Sequence, residues 1–374
     1  MKTENMTKIM MANRSSMPSI EEYIEQIRPL WNSRWLSNEG AILQKFKASL
    51  ENYLGLGNIE LFVNGHTALE LAISSMGLSG EVITSPFTFI STPNAIVRNG
   101  LTPVFCDISE EDFNIDVQKI ESLITEKTTA IVPVHIYGNP CDLEGIERIA
   151  QKYNLKVIYD AAQAFGVEVD GKSILEFGDI TMVSFHATKC FHSIEGGMLS
   201  FKDSRKREQL RKVKSFGIVS EDGTELLGVN AKMNEFQAAM GICNLSHFEG
   251  YLEKRKSIHM RYREQLAEVP GIKLAKHRAN VKPNYTYMPA QVDKEAYGLD
   301  RDELLERLSA EHIFADKYFY PLVVDYEYYR DRYSEIELPT ARHVANSMVL
   351  LPMHTEMEFK DVDRVCEIIR RSSK

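Results

Sequence analysis

Residues Ser184 to Gly197, SFHATKCFHSIEGG, place two histidines, several hydroxyl residues and one lysine next to a Gly-Gly pair. They follow an apolar run, ITMV, that reads as a buried strand. A lysine a few residues beyond a strand end, in a short polar loop, is well placed to form a Schiff base. That lysine is Lys189, with Ser184 and His186 ahead of it and EGGM behind, where the glycines permit a tight turn and close backbone approach.

Three other stretches carry compatible chemistry. Asp160 ends the run KVIYD. A carboxylate there can cap a following helix, or it can pair with a protonated ring nitrogen and so let a pyridoxal ring draw electrons from a carbanion. Gln163, one helical turn further on, would face the same ligand. In VNGHTALELA the turn at Asn64-Gly65-His66 leads from a strand into a helix, whose free N–H groups and dipole suit an anion. Ser184 would add a hydroxyl to that seat. SPFTFISTPNAI puts Phe87 and Phe89 after another strand end, either as core or with one ring stacked on a cofactor. Together these residues describe a pyridoxal 5'-phosphate site: a lysine, an acid for the ring nitrogen, a phosphate cradle and a stacking ring.

Positioning such groups calls for a parallel sheet, whose ligands gather at the carboxyl ends of the strands. The chain supplies one. Seven β-branched runs, IELFV, EVITS, TPVFCDI, TAIVPVHIY, KVIYDA, ITMVSF and GMLSF, alternate with helical spacings such as TALELAISSMG and LEGIERIAQKYN. The pattern stops near residue 230, where a long helix begins with Asn234 as cap and Gln237 three residues on. The expected class is α/β, with a mostly parallel seven-stranded sheet between helices and a smaller α+β C-terminal domain. The expected division is a mobile leader over 1–16, a large cofactor-binding domain over 17–250 and a small domain over 251–374.

Bulk composition narrows the function. The 374 residues carry a net charge of -9 and no basic run, which argues against nucleic acid as a partner. Five scattered cysteines lack any C-x-x-C pair, so neither a disulfide framework nor a metal site is expected, and the reading is a reducing cytoplasm. No run approaches the roughly 20 apolar residues of a membrane span.

In WLSNEG, NGHTALELAI, SPFTFISTPNAI, PVHIYGNPCDLEGI, VIYDAAQAFG, GDITMVSFHATK, EGGM and NAKMNEFQAAMG, in that order, the chain resembles the DegT/DnrJ/EryC1/StrS sugar aminotransferases, a branch of the fold-type I pyridoxal-phosphate enzymes. It is most similar to those acting at C4 of nucleotide-linked 4-keto-6-deoxyhexoses. The resemblance implies that Lys189 carries the cofactor and later shuttles a proton. It also implies that Asp160 contacts the pyridine nitrogen, that Gln163 lies near the ring hydroxyl, and that Phe89 stacks on the ring. Gly65, residue 66 and Ser184 would hold the phosphate, His186 would occupy the family's usual histidine position, and Asn230 would reach the phosphate in a partner subunit. The active unit would be a homodimer, with L-glutamate as amino donor and an amino sugar for glycan or lipopolysaccharide synthesis as product.

Some positions depart from the common pattern. His66 stands where Thr is frequent, keeping the backbone donor but not the hydroxyl unless Thr67 replaces it. Gln163 stands for His, His192 for Asn, and Asp316 lies where relatives tend to be basic. MANRSS and DYEYYRDRY have no assigned role. Alternatives are a C3-specific aminotransferase, the family's sugar dehydratases, which replace the lysine by His, and a cofactor-binding regulator without catalysis.

Overall fold

The computed structural model describes residues 9–220 and 223–374. Each of the seven β-branched runs forms a strand of one sheet. In chain order, with a short N-terminal strand β1 (Met10–Met11) before them, they are β2 (Ile59–Phe62), β3 (Glu81–Thr84), β4 (Thr102–Phe105), β5 (Thr128–Val132), β6 (Lys156–Asp160), β7 (Ile180–Ser184) and β8 (Gly197–Phe201). Their order across the sheet is β2-β8-β7-β6-β5-β3-β4. β8 runs antiparallel to both its neighbours, while the other pairings are parallel. β2, β7 and β8 are buried at every residue, as a sheet covered on both faces requires. One apolar cluster, around Phe62, Leu69 and Met182, fills one face. Another, around Phe46, Phe165 and Phe191, lies beneath α1 (Ala41–Leu54).

The helices that follow β2 and β3 are α2 (Gly65–Ser75) and α3 (Ser91–Arg98). Asn64 caps α2 by accepting from the Thr67 N–H at 2.8 Å. The long helix, α4 (Glu235–Leu266), has the expected reciprocal cap between Asn234 and Gln237. At 32 residues it spans about 48 Å. Its first half packs Ala238, Phe248 and Leu252 into the cluster under the sheet. Its second half packs Ile258, Tyr262 and Leu266 into a separate cluster with a small antiparallel sheet, β9 (Ile272–Leu274), β10 (Met288–Val292) and, later, Met348–Leu351.

The expected mobile leader is not what residues 9–16 form; residues 1–8 of it lie outside the described residues. Met10 and Met11 pair in parallel with β11 (Ile313–Phe314), and Met10 is buried in the second cluster. The Met353 N–H donates to the Ala12 carbonyl at 2.9 Å, and Arg14 pairs with Glu356 at 2.5 Å. A sequence without an amphipathic period gave no sign of this, because a two-residue strand is held by partners some 300 positions away. All five cysteines are buried and free. Among the described residues, no helix is long and apolar enough to cross a membrane, and no cluster of three or more His, Cys, Asp or Glu could hold a metal.

Candidate active site

The carboxyl ends of β2, β6 and β7 open into a cavity of about 450 Å³. Of the residues expected at the site, Gly65, His66, Phe89, Asp160, Gln163, Ser184, His186 and Lys189 all line it. Asn230 does not. It is exposed, bridged through its backbone to Ser215 outside any strand, and its Oδ1 accepts from Lys232 Nζ at 2.8 Å.

Asp160 sits at the end of β6, 4% exposed. Its Oδ2 accepts from Thr92 Oγ1 at 2.7 Å and its Oδ1 from the Ala162 N–H at 3.0 Å. Burial raises its pKa above the ordinary carboxylate value, opposed by those two bonds and by the charges of Lys189 and His66. It forms no ion pair with a described residue, so a carboxylate at this point calls for a cation. No helix follows β6: the chain runs through turns, and Asp160 closes a short turn onto Ala162 rather than capping a helix. Gln163 reaches the cavity through those turns, its Oε1 accepting from the Tyr137 N–H at 2.5 Å.

Lys189 stands half-buried in the loop between β7 and β8. Its N–H donates to the His186 carbonyl at 2.9 Å, which folds the loop back on itself. His186 is exposed, with Nδ1 2.8 Å from Thr188 Oγ1 and Nε2 3.5 Å from Glu195. Gly65, the first residue of α2, lies so close to Ser184 that a Cβ on it would come within 2.9 Å of the Ser184 Cβ and 3.1 Å of its Oγ. Only a glycine fits this contact. At residue 66 the missing hydroxyl is not supplied by Thr67, which does not line the cavity and whose N–H is taken by the cap. Ser91, 2.8 Å from His66 Nδ1, brings a hydroxyl there instead. Phe87 is wholly buried against Tyr137 and Phe319, whereas Phe89 is 55% exposed on the cavity side.

Thr92, Ser91, Glu195 and Tyr318 were not singled out from the sequence. Thr92 reaches Asp160 across 68 positions; its signal was a hydroxyl in the first turn of the helix after a strand end. His192, expected only as a departure, lies outside the cavity. Buried and held below the usual histidine pKa by that burial, it accepts from the Ile194 N–H and donates from Nε2 to the Ser16 carbonyl at 2.6 Å.

The residues suit pyridoxal phosphate. A glycine-lined anion seat, a buried carboxyl in want of a cation and an accessible amine share one cavity of the right edge of the sheet, and these are features of a fold-type I pyridoxal-phosphate enzyme. Residues 18–370 match the DegT/DnrJ/EryC1/StrS aminotransferase family, and the chain belongs to it. A relative in Shigella dysenteriae, a dTDP-4-amino-4,6-dideoxy-D-glucose transaminase, is 40% identical over 98% of this chain and 99% of its own. The crystal structure of DesI in the presence of its TDP-sugar product is 32% identical and superposes with a TM-score of 0.92 over 97% of this chain and 92% of that one. NtdA from Bacillus subtilis with bound cofactor PMP is 26% identical, with a TM-score of 0.87 over 94% and 81%. The protein is an aminotransferase that works with pyridoxal 5'-phosphate.

Proposed function

We propose that this enzyme transfers the amino group of L-glutamate to C4 of a dTDP-linked 4-keto-6-deoxyhexose. The observation that carries the reaction type is an intact Lys189 sharing a cavity with Asp160. The dehydratase reading needs a residue other than lysine at that position. The full-length likeness to a dTDP-4-amino-4,6-dideoxy-D-glucose transaminase supports the substrate.

Bound pyridoxal phosphate supplies an electron sink that makes the substrate Cα–H acidic and the amino group transferable. The chain's own residues do the rest. Lys189 Nζ would hold the cofactor and, as a free amine, would take up the proton from the substrate Cα and hand it on. The Asp160 carboxylate, fixed by Thr92 and the Ala162 N–H, would keep the ring nitrogen protonated. The Gly65 and His66 N–H groups with Ser184 Oγ would hold the phosphate, Gln163 would lie at the ring hydroxyl, and Phe89 would cover the ring face. His186 would brace the Lys189 loop through Thr188 and Glu195. With the keto sugar in place of the donor, the same proton transfers run in reverse.

The working unit would be a homodimer, with Asn230 reaching the partner's phosphate seat. Phe216, Ile218, Leu226, Leu227 and Val229 support this reading: they cluster in sequence around Asn230 and are exposed, Leu227 at 97%. A patch of this kind fits burial against a second copy. Residues 17–250 would bind the cofactor and 251–374 would form the smaller domain, in a cytoplasmic enzyme making amino sugars for surface glycans such as lipopolysaccharide.

The test follows the protein's colour. Purified enzyme loaded with pyridoxal phosphate should be yellow, bleach with L-glutamate, and recover with dTDP-4-keto-6-deoxy-D-glucose as the amino-sugar nucleotide forms. Lys189→Ala should abolish both colour and turnover. Bleaching that no nucleotide-linked keto sugar reverses would overturn the substrate, and turnover by Lys189→Ala would overturn the mechanism.

A further inference from the structure

Three residues at the start of α2 and α3 form a chain of polar contacts beside the phosphate seat. His66 Nδ1 lies 2.8 Å from Ser91 Oγ, and its Nε2 lies 3.8 Å from the Glu70 carboxylate one turn along α2. His66 and Ser91 both line the cofactor cavity. Glu70 stands behind them and also holds Arg98 Nε at 3.0 Å. Lys189 is the only Lys or Arg among the described residues that line the cavity. In the proposed mechanism that amine joins the reactive end of the cofactor, so the phosphate meets no permanent cation of its own chain.

Counting hydrogens decides what Ser91 can do. A serine hydroxyl has one proton to donate, and a neutral imidazole has one N–H. The Glu70 carboxylate draws that N–H to Nε2, since the partner of one ring nitrogen sets the tautomer. Nδ1 is then an acceptor, and Ser91 donates its proton to it. In that state Ser91 has no donor left for an anion. A second proton on the ring reverses the bond: Nδ1–H donates to Ser91 Oγ, and the serine proton is released toward the seat. The same proton adds a positive charge beside Gly65 and Ser184. Two further charges share the cavity with the ring, the Asp160 carboxyl at the end of β6, which interacts with the charge of His66, and Lys189. The first favours a charged imidazole and the second opposes it. With its side chain 38% exposed, His66 can take the proton from water.

We propose that Ser91 is a further donor to the cofactor phosphate and that His66 is the positioning residue that frees it, so that binding of the phosphate draws a proton onto His66. The assignment rests on the reading that the phosphate sits against Gly65, residue 66 and Ser184. Linkage requires the converse: protonating His66 tightens the hold on the phosphate, and raising the pH loosens it. The departure at residue 66 thereby gains a consequence. A threonine there would offer its own hydroxyl at any pH, whereas this pair offers one only together with a proton.

The test follows protons, using full-length protein stripped of cofactor and pyridoxamine phosphate, which forms no bond with Lys189. Calorimetry at about pH 7, in two buffers of different ionisation enthalpy, gives the protons taken up on binding. Wild type should take up roughly 0.5–1 proton more than His66→Gln. Ser91→Ala should bind about tenfold more weakly than wild type. Equal proton uptake by wild type and His66→Gln would overturn the proposal, as would wild-type affinity in Ser91→Ala. Weaker binding by His66→Gln with the proton count unmoved would also overturn it, marking a structural role alone. Ser184→Ala tells the two readings apart. If it binds as tightly as wild type, the phosphate lies elsewhere and the reading of the seat falls; if it is weakened while Ser91→Ala is not, only the role given to Ser91 and His66 falls.

Discussion

Asp160, Ser184 and Gly65 stand at the ends of strands packed on both faces, each fixed by neighbours that leave it little freedom. Phe89 and His186 stand on loops with large parts of their surface in water. The first group forms the floor of the cavity and the second its rim. In the proposed reading the floor residues would hold a cofactor that is regenerated at each turnover, so rigidity costs nothing there. Rim residues meet ligands that enter and leave, and must remain accessible. Burial therefore separates residues fixed before any ligand arrives from those that stay accessible as ligands come and go, and in the proposed reading the first would hold the cofactor more tightly than the second.

Three substitutions would sharpen or break that division. Asp160→Asn removes the buried carboxyl proposed to face the ring nitrogen while keeping its shape. Turnover should fall about 100-fold, with folding unchanged by circular dichroism. Gly65→Ala puts a methyl group 2.9 Å from the Ser184 Cβ. Overpacking of this kind typically costs about 1–3 kcal/mol, so cofactor affinity should fall about tenfold, read by titrating apoprotein with pyridoxal phosphate. Phe89→Ala removes an exposed ring, and the lost stacking should weaken cofactor binding only about threefold. A Phe89 effect as large as that of Asp160 would end the distinction between floor and rim.

The floor was the legible part of the sequence. Its residues follow strand ends, and strands buried on both faces announce themselves as β-branched runs; all seven were visible, as was the cap of the long helix. Strand ends then fix Asp160 and Ser184, and the polar loop after ITMV points to Lys189. The rim was harder to read. Phe89 could be told from Phe87 only by resemblance, since both rings follow the same strand and neither residue type nor spacing says which faces water. Asn13, Thr92 and Tyr318 act through contacts that span tens to hundreds of positions, where no local period leaves a trace. The helix expected after Asp160 is absent because AAQAFG closes into turns, yet Gln163 arrives at the cavity all the same. Where Asn230 points cannot be read from a single chain's contacts, which is why its role is a proposal about a pair of subunits.

The pairing of Met10–Met11 with Ile313–Phe314 bears on how the protein is made. A ribosome releases residues 9–16 some 300 positions ahead of their partners, which run from Ile313 to Glu356. At about 5–20 residues per second, the first strand waits roughly 20–70 s for its seat. The sheet and most of the cofactor floor can assemble in that interval, because their strands lie between residues 59 and 201. Asn13 settles on Thr188, beside Lys189, only after the strand at Ile313–Phe314 has been made. The nascent enzyme thus braces the Thr188 side of its active site after its sheet is made, and a chain cut short before Ile313 would lack the strand against which that brace is built.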